Sequence, residues 1–312
     1  MQQRAHQRPP FVHAVILAEA MDVQAVVSAR EDPFGASTPQ NLNDIGRPEI
    51  LAALREPRSV RGYVRVNAAD TRWCLEDVDA VVGPWLDGIV LPKAESPGQL
   101  QALDARIAEA ERHAGVAPGS IDLMAIIETA LGVESAGPIA AAVPRLARLA
   151  FGGGDYTHDL DLVWTEGEAE LAYARARIAH ASRIAGLEPP VDTVVLQVRD
   201  AARFRRSAEQ GRAMGFAAKL CIHPDQVQPC NEAFTPAREE VERARAIVRA
   251  FEAAEAAGSA SIQLSRSGRP DSRACAQAES TKSATSTGIR RIGVEGTTRP
   301  CTLSRAARTT VT

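Results

Sequence analysis

The chain has 312 residues, of which 45% are hydrophobic and 24% charged, a balance ordinary for a soluble protein with a substantial core. A net charge of −3 gives no electrostatic case for nucleic acid or an anionic membrane, and no apolar run approaches the ~20 residues needed to span a bilayer. The five cysteines, at 74, 221, 230, 275 and 301, form no C-x-x-C pair, which argues against a zinc site and a disulfide framework and points to a reducing, cytoplasmic location.

From the N-terminus, "MQQRAHQRPP" lacks the apolar region of a signal peptide. "FV" at 11–12 reads as a weak first strand and "AVILAEAMD" (14–22) as the first helix. Seven further strands are expected at 25–27, 62–68, 87–92, 123–128, 146–152, 192–198 and 217–222. Between them lie Ala-rich segments with apolar residues at helical spacing, such as "SPGQLQALDARIAEAERH" and "EGEAELAYARARIAHASRIAG". Near-continuous apolar strands alternating with amphipathic helices suit a (β/α)8 TIM barrel or an open doubly wound sheet. The number of units, and the lack of a G-x-G-x-x-G loop after any early strand, favour the barrel. "FGGGD" (151–155) is glycine-rich without that spacing.

Reading each strand to its C-terminal end collects Glu31 and Asp32, Arg65, Lys93, Glu128, Asp155 and His223. In a parallel barrel these ends share one face, where the βα loops build the site. Glu128 ends the apolar run of "LMAIIE", so a buried strand surfaces there at a charge. Glu128 and Asp155, from adjacent strands, make a sparse oxygen set suited to Mg²⁺, which takes one or two protein carboxylates and fills its octahedron with water and substrate oxygens. Zinc would call for histidine or cysteine. Glu31 and Asp32 are expected to bind waters on the metal. The alternative is an ion-pair network of these carboxylates with Arg65 and Lys93. Lys93 is expected to orient acidic groups of the substrate, and His223, before Pro224, to shape a turn.

Five segments, "YVRVNA", "DGIVLPKAES", "MAIIETALGV", "LAFGGGDYTHDL" and "GFAAKLCIHPDQV…NEAFTPAREEVERARAIV", in this order and spacing, resemble the HpcH/HpaI aldolase and citrate lyase β-subunit superfamily. Within it they look like its CitE-like CoA-ester lyase branch, over about residues 25 to 258. The resemblance implies a TIM barrel, Mg²⁺ held by Glu128 and Asp155, and Arg65 on the reacting carbonyl oxygens. It further implies that "AKLCIHP" and nearby loops help hold CoA, and that the chain assembles as a trimer or hexamer. The reaction implied is reversible cleavage of a β-hydroxyacyl-CoA, such as malyl-CoA or citramalyl-CoA, into an acyl-CoA and an α-keto acid. The aldolase branch, which needs no CoA, fits the match over 215–250 less well.

The chain departs from the family at both ends. By resemblance the proton is moved by an aspartate of a C-terminal lid, in a segment like "G-x-M-[IV]-D-x-P". Residues 259–312 instead carry nine Arg and Lys against three Asp and Glu, are rich in Ser and Thr, and show neither structural period. We therefore expect a barrel domain over 1–258 and a disordered basic tail over 259–312, replaced or frameshifted, with Asp271 the remaining candidate for the base. Near the N-terminus "VVSAREDPFG" keeps Glu31 and Asp32 but lacks the aspartate that precedes them in "LDLEDAV" of the family, and the first strand is degenerate. Two functions follow: an active Mg²⁺-dependent lyase, or an impaired paralogue that binds metal, keto acid or CoA without moving the proton.

Overall fold

A computed structural model describes residues 14–16, 51–52, 54–55 and 61–256. The chain divides into two compact units, Met1–Thr235 and Pro236–Thr312. In the first, strands β1 (Ala14–Ile16), β2 (Tyr63–Arg65), β3 (Gly88–Leu91), β4 (Asp122–Ile127), β5 (Leu146–Phe151), β6 (Val191–Asp192) and β7 (Ala218–Cys221) form one sheet in the order β1-β7-β6-β5-β4-β3-β2. Every pairing is parallel, and the first strand lies against the last.

Helices make the crossovers that parallel pairing requires. Helix α1 (Trp73–Val81) joins β2 to β3 and α2 (Pro97–His113) joins β3 to β4, while the short α3 (Ala130–Glu134) and α4 (Ala136–Ala140) lead to β5. Then α5 (Gly153–Asp159) and α6 (Ala172–Ala185) precede β6, α7 (Ala201–Ala213) precedes β7, and α8 (Val227–Phe234) follows it. Helix α2 shows why such segments fold as expected. Pro97 opens it, the Gln99 side chain accepts the Ser96 N–H at 3.1 Å, and Leu100, Leu103, Ile107 and Ala110 form its buried stripe.

Strand alternation divides the core into two layers. Val90, Met124, Ile126, Ala150, Val191, Ala218 and Leu220 form one cluster, which Tyr63 joins. Side chains from six strands reach one another there because the sheet curls and they share its concave face. The alternate residues, among them Ile89, Leu91, Leu123, Ala125, Leu149 and Cys221, pack with the helices in a larger outer cluster. Each fully buried Leu or Ile contributes about 1.5–3 kcal/mol by leaving water.

One cluster of buried charged groups inside the outer layer is paired around Asp192. Asp192, wholly buried, accepts from Arg175 Nε at 2.8 Å and from Lys219 Nζ at 2.8 Å. Arg175 also reaches Glu168 Oε2 at 2.7 Å, which takes the Ser207 hydroxyl at 2.9 Å. Burial pushes the Asp192 carboxyl up, but Lys219 and Arg175 outweigh it and hold its pKa below the ordinary value.

Two expectations are corrected. Residues 14–16 form a strand and no helix: Ala14, Val15 and Ile16 lie in parallel register with Lys219, Leu220 and Cys221. The β-branched pair Val15 and Ile16 suits that ladder better than a helix. The long strand expected over 192–198 is only Val191–Asp192. Beyond it, Thr193 Oγ1 accepts the Gly153 N–H at 2.7 Å and the Val195 carbonyl accepts from Gln226 Nε2 at 2.8 Å, so side chains take the groups that a ladder would have used. The strand expected at 25–27 and the tail over 259–312 lie outside the described residues.

The second unit is described by one helix, α9 (Arg238–Ala256). Glu240 Oε2 accepts the Ala237 N–H at 3.1 Å at its start, and an Arg238–Glu242 pair spans one turn at 3.0 Å. Among the described residues no helix is long and apolar enough to cross a membrane.

Candidate active site

Glu128 follows β4 directly and continues the alternation of Met124 and Ile126, which carries it to the concave side of the sheet at the C-terminal rim. It is 8% exposed. Room for it comes from Gly152, just after β5: a Cβ there would stand 2.4 Å from Glu128 Oε2 and 2.5 Å from Glu128 Cβ. The Lys93 backbone N–H, after β3, donates to Glu128 Oε1 at 2.7 Å. Lys93 makes this contact from a left-handed backbone, with φ of 50°.

Asp155 stands in the first turn of α5, exposed, with its Oδ2 3.4 Å from Lys93 Nζ. Arg65 ends β2 on the same face as Tyr63 and is exposed. Burial raises the Glu128 carboxyl to about 7 and the charge of Asp155 adds to this, while the Lys93 N–H and the charges of Arg65 and Lys93 work the other way. The four groups therefore share one rim and act on one another.

The structure thus brings together Arg65, Lys93, Glu128 and Asp155, from four successive strand ends. Glu31 and Asp32 lie outside the described residues. His223 takes the Asp225 N–H on its Nδ1 at 3.2 Å and caps the turn at Pro224–Gln226.

A buried carboxylate beside a second one, with too little cationic compensation to restore its ordinary pKa, is a donor set that a hard divalent cation relieves. The Lys93–Asp155 pair is half exposed and contributes about 0–1 kcal/mol, so it offers little resistance to such an ion. Among the described residues no group of three or more His, Cys, Asp and Glu side chains could hold a metal, so the fit is to an ion that keeps several water or substrate ligands. The residues present fit Mg²⁺ on those terms.

Sequence reasoning missed three residues. Gly152 carried a signal, since a glycine immediately after an apolar strand marks close approach of another group. Thr193 and Asp159 carried none: Thr193 holds the start of α5, and Asp159 Oδ2, at its end, accepts the Ala130 N–H at 2.8 Å.

Comparison with known proteins adds the following. A family model described as HpcH/HpaI aldolase/citrate lyase matches residues 36–224. Citrate lyase subunit beta of Escherichia coli K12 is 34% identical over 223 residues, covering 71% of this chain and 74% of that protein. The L-malyl-CoA/beta-methylmalyl-CoA lyase of Cereibacter sphaeroides is 34% identical over 216 residues, covering 62% of this chain and 67% of the relative. A Mycobacterium tuberculosis citrate lyase beta subunit, solved with oxaloacetate and magnesium, superposes with a TM-score of 0.52 at 25% identity, covering 65% of this chain and 84% of that one.

Proposed function

The chain belongs to the HpcH/HpaI aldolase/citrate lyase family, and from that premise we propose that it is a Mg²⁺-dependent carbon–carbon lyase of CoA esters. Its substrate is a β-hydroxyacyl-CoA such as malyl-CoA or citramalyl-CoA, and its products are an acyl-CoA and an α-keto acid. The curled sheet is the described part of a (β/α)8 TIM barrel. Among the described residues the buried cysteines Cys74, Cys221 and Cys230 form no disulfide, which suits a reducing cytoplasm. The family reading carries with it assembly as a homotrimer or hexamer.

The observation that carries the proposal is the buried Glu128 carboxylate, held by the Lys93 amide and faced by the charges of Asp155 and Arg65 at one rim. Glu128 and Asp155 would hold the metal ion, and Glu31 and Asp32 would serve its bound waters. A Mg²⁺ held there would supply Lewis-acid polarisation of the keto-acid oxygens. Arg65 is always cationic and places a planar fork toward the thioester oxygen, where enolate charge develops as the C–C bond breaks. Lys93 directs its ammonium toward the substrate carboxylate. Glu128 is kept in one orientation by the Lys93 N–H and by the space at Gly152, so little reorganisation accompanies the charge shift. Breaking the bond requires removal of the hydroxyl proton and delivery of a proton to the acyl α-carbon.

A second reading is favoured by residues 259–312, which contain no match to the lid aspartate motif. In it the chain is an impaired relative that binds metal and keto acid or CoA without moving the proton. Incubation of the full chain with malyl-CoA or citramalyl-CoA and Mg²⁺ tests both. Release of glyoxylate or pyruvate supports the lyase. Retained keto-acid binding without release supports the second reading, and neither binding nor release overturns both.

A further inference from the structure

Helix α5, which carries Asp155, is fixed at both ends and on its flank. At its start, the Gly153 N–H has no carbonyl partner within the helix and donates to Thr193 Oγ1 at 2.7 Å, at a fully buried side chain. On its flank Tyr156 meets Phe151 of β5 edge to face, with ring centroids 5.5 Å apart. At its end, Asp159 Oδ2 accepts the Ala130 N–H at 2.8 Å.

The last contact spans the site. Ala130 opens α3 and stands two residues after Glu128; Asp159 stands four residues, about one helical turn, after Asp155. The bond ties the backbone that carries one carboxylate to the helix that carries the other. Nor is it needed to cap α3, because Thr129 Oγ1 already accepts the Gly132 N–H at 3.0 Å. Asp159 and Ala130 are both exposed, so no core packing depends on either side chain.

We propose that Asp159 is a positioning residue for the divalent cation: by holding the Ala130 N–H it sets the separation of Glu128 and Asp155. The inference rests on the reading of those two carboxylates as the metal ligands. Partners that hydrogen-bond the ligands themselves are worth about 10- to 100-fold in metal affinity, and a contact one step further out is expected at the lower end of that range.

The test is Mn²⁺ binding to the full chain, read as loss of the free-ion electron paramagnetic resonance signal, with a thermal melt of each variant. Asp159→Ala is expected to weaken Mn²⁺ binding about tenfold or more. Asp159→Asn, whose amide oxygen still accepts, should stay within about threefold of wild type. Ala130→Pro removes the donor while leaving the Asp159 charge in place. Proline suits the first position of α3, and the preceding Thr129 is already extended, at φ −134° and ψ 161°. It should weaken binding as Asp159→Ala does, and the double variant should be no weaker than either single one. Melting temperatures should match wild type throughout. Ala130→Pro binding Mn²⁺ as tightly as wild type, or Asp159→Asn losing as much as Asp159→Ala, would overturn the positioning role. Wild type that leaves Mn²⁺ free would overturn the ligand reading itself, and the inference with it.

Discussion

The backbone N–H of Lys93 donates to Glu128 Oε1 at 2.7 Å, from a residue whose φ is 50°. A lysine in the left-handed region is strained by its Cβ, and the strain persists because the amide must point at the carboxylate. The same residue sends its ammonium to Asp155, so one side chain and its own backbone touch both carboxylates.

Lys93→Gly separates these two roles. Glycine adopts positive φ without strain, so the N–H contact survives and stability should be unchanged or up by about 0.5–1 kcal/mol, against the usual direction for glycine. With the ammonium gone, the Glu128 carboxyl should titrate higher than about 7, since the charge of Lys93 lowers it. Carbon-13 NMR titration and urea denaturation check the two halves; a fall of more than about 1 kcal/mol would mean that the Lys93 side chain, and not its amide, holds the loop.

Cation affinity should depend on pH with a defined sign. Burial and Asp155 hold the Glu128 proton up to about 7, and a bound cation must displace it. Mg²⁺ affinity by calorimetry is expected to rise about tenfold per pH unit below about pH 7 and to level off above it. Without metal the linkage runs the other way. A carboxyl whose folded pKa exceeds its unfolded value of 4.5 favours folding at low pH, and that stability declines as pH rises from about 4.5 to about 7. Affinity that is flat between about pH 5.5 and 8 would show that the Glu128 carboxyl is not held protonated up to about 7 in the metal-free protein.

Gly152→Ala should damage the site through one methyl group. The backbone at 152 has φ −104°, which alanine tolerates, so the cost is the clash with Glu128 at 2.4 Å. Overpacking of this kind destabilises by about 1–3 kcal/mol, and the displaced carboxylate should cost at least about tenfold in Mg²⁺ affinity. Unaltered Mg²⁺ binding in a folded Gly152→Ala protein would show that the position of Glu128 does not matter to the ion.

Asp192 is expected to govern stability from outside the site. Asp192→Ala leaves Lys219 and Arg175 buried with reduced compensation, and loss of one partner from such a set costs about 3–5 kcal/mol. Because the Asp192 pKa is depressed in the folded protein, its contribution is present above the ordinary carboxylate range and is lost as pH falls through the folded value. Urea midpoints at neutral pH measure the first effect; a loss under about 1 kcal/mol would mean that water reaches the cluster.

The alternation of apolar strands and helical segments, read along the chain, determined the parallel α/β architecture. The same reading placed Arg65, Lys93, Glu128 and Asp155 at strand ends on one rim, because strand parity is local and repeats every two residues, and strands alternating with helices pair parallel so that their C-terminal ends share one face. Local pattern misled at residues 14–16 and 193–198, where helix and strand propensities are close and the partner decided: β7 recruits Ala14–Ile16, while Gly153 and Gln226 draw Thr193 and Val195 off the ladder. Tertiary structure alone decided that Gly152 makes room for Glu128, that Lys93 turns its amide toward that carboxylate, and that Asp159 reaches Ala130. Those contacts join residues up to 35 positions apart. Periodicity states which face a side chain occupies; which atom it meets across the rim depends on register, rotamer and the curl of the sheet, and these exist only once the strands have assembled.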